Sequence, residues 1–409
     1  MSVPIDGVVV GPRLDLDLPL LLKPLVYLYE GDEVTIGSPE MESYAVFPAD
    51  GAELVRMLAD GITPRQAAVR HEESHGESVD MPDLLSVLED LGFIQDGTSA
   101  AAPAPAAAVR FQRLGRIVFS RPAWLCYAIL TVLSIVEMAR HPELAPHRSV
   151  LFFTSSYTAI SLVLFLGQMP FLALHEGFHA LAGRRLGLRS RFSVSRRLIY
   201  VVFETSLPGL VAVPRRQRYL PILAGMVADV LAMAVLTLVA AALREPGGAL
   251  PLAGRVCLAL AFAVMLRLLW QLFFYLRTDV YVMLTTVLGC TDLHAAAADV
   301  LRDAVRRRTG RTALDLSAHS ATDLRVARWY AWLLPVGYAL TLASFATVLV
   351  PSAYQMTAGL VGRLRGGSSL NGILDSATLV ALLLAQLLAV AFMALRDRRA
   401  RRAAAQPQG

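Results

Sequence analysis

The sequence predicts a polytopic α-helical membrane protein of about six transmembrane helices, preceded by a small α+β winged-helix-like soluble domain. Three observations carry this. Hydrophobic residues make up 55% of the 409 positions, well above the share found in soluble domains. Apolar runs of span length, roughly 20 residues each, recur from position 117 onward. The first hundred residues contain no such run and are rich in acidic side chains.

The soluble part divides at Gly31-Asp32, where Val26 to Tyr29 and Val34 to Ile36 read as strand–turn–strand. Ala49 to Ala59 and Thr63 to Val69 read as helices, the second with Thr63 as N-cap and Pro64 at its first position. Met81 to Leu91 makes a third helix with Leu84, Leu85, Leu88 and Leu91 on one face, and Gly92-Phe93-Ile94 closes as a short strand. Between Asp32 and Asp96 there are few Arg and no Lys, so this region lacks the basic face that phosphate binding needs. It is expected to bind a peptide, for instance at an exposed sheet edge, and not nucleic acid. Residues 97–109, rich in Ala and Pro, read as a linker, which makes 1–96 one domain, 110–402 the membrane domain and 403–409 a tail.

The expected spans are Ile117 to Met138, Leu151 to Leu174, Tyr219 to Leu243, Leu252 to Leu276, Trp329 to Val350 and Ile373 to Leu395. Arginines cluster on one side of them: Arg110 to Arg121 before the first span, Arg184 to Arg197 after the second, Arg302 to Arg311, and Arg396 to Arg402. By the positive-inside rule that side is cytoplasmic, with both termini inside and the protein in the cell membrane. The N-terminus has acidic residues where a cleavable signal peptide would carry a basic segment and an apolar core. Cys126, Cys257 and Cys290 lie in or beside apolar runs and read as small core residues, not as disulfide partners.

His175-Glu176-Gly177-Phe178-His179 ends the second apolar run. On a helix the two histidines lie one turn apart on one face, the spacing that two ligands of one zinc ion require. Glu176 falls beside that axis, where it can take a proton from a water at the metal. Ionisable groups at the edge of hydrocarbon cost several kcal/mol without a partner, on the order of what insertion scales assign to a charged residue. A catalytic zinc takes a third protein ligand and leaves a position open. Asp279, interrupting the apolar stretch after the fourth span, is the candidate; Asp292 and His294 are rivals, and an ion pair of Asp279 with Arg277 is the structural alternative. Asp229 and Arg267 each fall about 14–15 Å from the cytoplasmic ends of their spans at 1.5 Å per residue, so a salt bridge between them near the site is expected. A second match to the motif, His71-Glu72-Glu73-Ser74-His75, has polar neighbours and a following Gly76; it reads as the frayed end of a surface helix. Phe192 to Val213 reads as a hairpin with its turn at Ser206-Leu207-Pro208-Gly209, offering a strand edge to an extended substrate.

His175 to Gly187 (HEGFHALAGRRLG), Arg215 to Val230 (RRQRYLPILAGMVADV) and Arg277 to Tyr281 (RTDVY) resemble the site-2 protease family of intramembrane zinc metallopeptidases. The resemblance implies His175, His179 and Asp279 as zinc ligands and Glu176 as general base. The chain departs from the family in lacking Asn-Pro before Asp279 and Gly after it, and in having Met226 and Asp229 where the family has Pro and Asn. The N-terminal region, through Tyr44 to Pro48 and Leu91 to Ile94, is similar to the PqqD-like leader-recognition domains of ribosomal peptide pathways. Together these imply a membrane zinc metalloendopeptidase that receives a precursor (leader) peptide at the cytoplasmic face and cleaves it during maturation or export. Two other readings share the features: a non-enzymatic membrane protein that binds a precursor peptide for export or immunity, and a regulated intramembrane protease in signalling.

Overall fold

Three antiparallel strands open the chain in the order β1 (Val26–Glu30), β2 (Glu33–Ser38) and β3 (Ser43–Pro48). The computed structural model describes residues 15–31, 33–38, 41, 43–95, 109–197, 200–317, 319–365 and 370–404. Nearly all of the Ala/Pro linker, the Leu198-Ile199 pair and the end of the tail lie outside them. The chain forms two compact units, the first made of Met1–Gln112 with Leu186–Ser190 and Leu207–Arg218, the second of the rest.

In the first unit β1 pairs with β2 in the register Tyr27↔Ile36, and β2 with β3 in the register Ile36↔Ala45. Gly31, at φ 69°, occupies the left-handed conformation that the β1–β2 turn needs. Three helices follow: α1 (Ala49–Ala59), α2 (Pro64–His75) and α3 (Met81–Asp90). The Thr63 hydroxyl accepts from the Gln66 amide at 3.3 Å, capping α2 with Pro64 in its first turn as expected. Val34, Ile36, Leu54, Leu58, Leu85, Leu88 and Phe93 form the core. The final segment is not a full strand: Ile94 makes an isolated bridge to Leu22. β3 is a strand that the sequence reading lacks, and α2 runs on to His75 where the sequence predicts an end near Val69. His71 is buried there, where a frayed surface end was expected. The unit also takes in Leu207–Arg218, where Glu30 accepts from the Arg215 amide (3.0 Å) and from Arg218 Nη2 (2.7 Å).

The second unit is helical apart from one hairpin. Its helices are α4 (Gln112–Val118), α5 (Arg121–Arg140), α6 (Tyr157–Arg185), α7 (Arg215–Ala242), α8 (Leu252–Trp270), α9 (Asp279–Leu288), α10 (Leu293–Arg308), α11 (Ala321–Arg365) and α12 (Leu370–Ala404), two of which begin in the first unit. Among the described residues four of them, α5 to α8, are long and apolar enough to cross a membrane, and five if the α9–α10 pair, bent by 85°, is one span. Their exposed faces are apolar: Leu125 is 63% exposed on α5 and Phe165 63% on α6. Such surface is stable in contact with lipid and costly in water.

Several boundaries differ from the sequence reading: the second span starts at Tyr157 and not Leu151, and the third helix starts at Arg215, ahead of Tyr219. The first span begins at Arg121, because Ser120 caps a new helix, accepting from the Ala123 amide at 3.4 Å. The fourth span stops at Trp270, not Leu276: the chain turns through Phe274–Leu276, and Arg277 adopts φ 59° before α9 starts. Arg267 therefore lies in the last turn of α8. The hairpin is β4 (Arg191–Arg197) and β5 (Tyr200–Ser206), paired Arg191↔Ser206. Ser206 therefore ends β5 and Leu207–Gly209 lead out of the hairpin, so these residues are not its turn; Pro208–Ala212 coil as a 3₁₀ segment. All three cysteines are free, and Cys126 is exposed on α5, where it had been read as core.

Candidate metal centre

α6 changes character along its length. Phe165 and Leu166 are exposed, whereas His175, Glu176, Phe178, His179, Ala180 and Ala182 are buried. The helix carries the motif inward because Phe178 and Ala182 pack with Phe119, Ala224 and Ala228. Its N-terminus is held by Asp375 of α12, which accepts from the amides of Tyr157 (3.0 Å) and Thr158 (3.1 Å).

His175 Nε2 and His179 Nε2 lie 3.2 Å apart, and Asp279 Oδ2 lies 3.3 Å from each. Among the described residues this is the one group of three His, Cys, Asp or Glu able to hold a metal ion. The protonation pattern follows from the opposite ring nitrogens. His175 Nδ1 faces Asp229 Oδ2 at 3.0 Å and His179 Nδ1 faces the Pro221 carbonyl at 2.7 Å. Carboxylate and carbonyl oxygens only accept, so each Nδ1 carries a hydrogen, and a ring that holds no second proton turns a lone pair outward at Nε2. Two nitrogen lone pairs and a carboxylate oxygen then converge with no donor among them, and Asp279 Oδ2 is buried without a hydrogen-bond partner. Such a set is repulsive unless a metal ion or a shared proton occupies its centre. The donor types and the fixed Nδ1 partners fit a zinc-type site with three protein ligands.

Asp279 reaches the histidines from the first turn of α9. That turn is fixed by Gln271, whose Oε1 accepts from the Asp279 amide (3.0 Å) and whose carbonyl accepts from the Thr278 hydroxyl (2.7 Å). The rivals go elsewhere: Asp292 caps α10 by accepting from the Ala295 amide, and the His294 amide donates to Tyr281 Oη. Asp229, fully buried, meets Arg267 as expected: Arg267 Nε donates to Oδ2 at 3.2 Å and Nη2 pairs with Oδ1. Gln168 completes the chain by accepting from Arg267 Nη1 (3.1 Å) and donating to the Leu260 carbonyl (3.1 Å). Glu176 is buried; its Oε2 accepts from the Thr205 amide of β5 at 2.7 Å, and its backbone carbonyl accepts from the Thr205 hydroxyl at 3.1 Å.

Thr205, Gln168, Gln271 and Gly225 were not picked out from the sequence. The two glutamines had a usable signal, being amides in or at the end of apolar runs. Gly225 had none: a Cβ there would fall on His175 Nε2 and His179 Nε2. Its hydrogen lets α7 approach the two rings and leaves the centre open. Gly225→Ala is expected to push the imidazoles apart, with a strain of about 1–3 kcal/mol, and to weaken metal retention in a chelator competition; unchanged retention would mean that the rings have another way to converge.

Comparison of the chain with protein-family models, with curated proteins and with solved structures found no match. The fold and the site define a mostly helical protein with several span-length apolar helices and a buried two-histidine, one-carboxylate group able to hold a metal ion.

Proposed function

We propose that this chain is a membrane-embedded zinc metallopeptidase, of the site-2 protease kind that the motifs resemble, acting at the cytoplasmic side of the cell membrane. The single observation that carries the reading is the convergence of His175 Nε2, His179 Nε2 and Asp279 Oδ2 at 3.2–3.3 Å, with both Nδ1 hydrogens already committed. When bound there, zinc supplies Lewis acidity toward a scissile carbonyl and toward water. Asp229, neutralised by Arg267, holds the His175 ring in the tautomer that presents Nε2. Glu176 accepts the proton of the attacking water and returns it to the leaving amine. The Thr205 amide on its Oε2 orients the carboxylate. β4 and β5 supply backbone that an unwound substrate can pair with.

The substrate we favour is a ribosomally made precursor peptide, bound through its leader by the N-terminal unit, a PqqD-like winged helix in this reading. Support comes from the three-stranded sheet, whose strand β1 is paired on one side only among the described residues, and from Val26 and Tyr29, exposed along it.

Metal analysis tests the assignment. After exhaustive dialysis the untagged protein should keep about one zinc per chain, the content of a site with a single three-ligand set. The His175→Ala/His179→Ala double variant should keep none, and Asp279→Ala should release its zinc to a weaker chelator. Full retention in the double variant would sink the assignment.

A further inference from the structure

The metal group rests on a hydrogen-bonded chain, and the far end of that chain is Gln168. His175 Nδ1 donates to Asp229 Oδ2 at 3.0 Å, Arg267 Nε donates to the same oxygen at 3.2 Å, and Arg267 Nη2 pairs with Oδ1. Arg267 Nη1 in turn donates to Gln168 Oε1 at 3.1 Å, and Gln168 Nε2 donates to the Leu260 carbonyl at 3.1 Å. Gln168 stands two turns before His175 on α6, and Leu260 two turns before Arg267 on α8. The chain therefore leaves α6 at His175 and returns to the same helix at Gln168.

We infer that Gln168 is a positioning residue of the metal centre: it aims the Arg267 guanidinium, and through it the Asp229 carboxylate, so that the His175 ring keeps Nε2 turned to His179 and Asp279. The role deepens the proposed function and rests on its metal assignment. An amide whose NH₂ group is committed to a carbonyl cannot turn over, so Oε1 has to face the guanidinium. The guanidinium is a rigid planar fork. An acceptor at Nη1 therefore sets the direction in which Nε and Nη2 point. Those two donors grip both oxygens of Asp229, and a carboxylate gripped at both oxygens cannot rotate away from His175 Nδ1. The amide is not needed to bring the helices together. Ile160 of α6 and Ala259 of α8 already share an apolar cluster with Val163, Leu164 and Val256. What Gln168 adds is a direction for Arg267, whose side chain is largely buried beside the fully buried Asp229.

The test measures zinc affinity by chelator competition in the full-length protein in detergent, together with the visible spectrum of its Co²⁺-substituted form. Gln168→Met keeps the length of the side chain and removes both hydrogen bonds. It should weaken zinc binding about tenfold, the lower end of what groups supporting a ligand are worth, and shift the Co²⁺ bands. Gln168→Glu keeps an oxygen for Arg267 and should recover most of the affinity. A double-mutant cycle separates this role from plain packing. In the Asp229→Leu/Arg267→Leu background the link is already cut, so adding Gln168→Met should not change zinc affinity further. A loss of the same size in that background would make Gln168 a packing residue of α6 and overturn the role. So would unchanged affinity and spectrum in Gln168→Met alone. An unaltered protein that holds no zinc overturns the metal assignment itself, and that result is seen before any variant is made.

Discussion

Replacing Glu176 with Gln is expected to leave the zinc content unchanged and to slow hydrolysis of any peptide the protein cleaves by about 10²–10⁴-fold, the usual worth of a general base. The metal should stay because Glu176 is not part of the His175–His179–Asp279 group. The fold should stay because a Gln side chain keeps a carbonyl oxygen for the Thr205 amide, and the Thr205 hydroxyl bond to the backbone at position 176 does not involve the side chain at all. What the amide loses is the ability to take a proton from water. Wild-type turnover in this variant would remove Glu176 from the mechanism; loss of metal together with activity would mean that it acts on the structure.

Asp229→Asn should have the second-largest effect, on affinity and on stability together. Asp229 is fully buried and serves two partners, His175 Nδ1 at 3.0 Å and the Arg267 guanidinium. Removing its charge loosens the His175 ring, and such supporting groups are worth about 10–100-fold in metal affinity. It also leaves Arg267 with neutral acceptors only, the amide oxygen at position 229 and Gln168 Oε1, and a largely buried charge that loses its counter-ion costs up to about 3–5 kcal/mol. A double variant separates the two effects. Asp229→Leu with Arg267→Leu removes both charges, so it should recover much of the unfolding temperature while metal affinity stays low. If Asp229→Asn holds zinc as tightly as wild type and melts at the same temperature, the Asp229 bridge does neither job.

Much of the centre was legible before any coordinates. A His–x–x–x–His spacing puts two imidazoles on one face of a helix whatever surrounds it, and a carboxylate or guanidinium in an apolar run must find a partner. That reasoning named His175, Glu176, His179, Asp279, Asp229 and Arg267, and it paired the last two. It preferred Asp279 to Asp292 and His294, but the turn after Trp270 that brings Asp279 to the histidines was not legible in it. The turn is made by Gln271, the left-handed Arg277 and Thr278, whose combined geometry has no periodic signature. The same limit let a fourth span be drawn through Leu276: hydropathy measures how apolar a stretch is, not whether it stays helical.

The motif itself shows where local pattern stops informing. His71–His75 and His175–His179 have the same spacing, and in both copies the first histidine is buried with Nδ1 turned to an acceptor. They differ in what the rest of the fold brings to Nε2. α7 comes close beside one pair through Gly225, and Asp279 arrives within 3.3 Å of both nitrogens, whereas Asp50 and Glu53 each stop short of a single histidine. The sequence alone determined the apolar helices, the histidine pairs and the need to pair each buried charge, because these follow from period and from solvation. Tertiary structure decided which carboxylate meets the two histidines, what each Nδ1 faces and the hold of Thr205 on Glu176. Those depend on contacts between residues 29 to about 100 positions apart, which only the packed chain brings together.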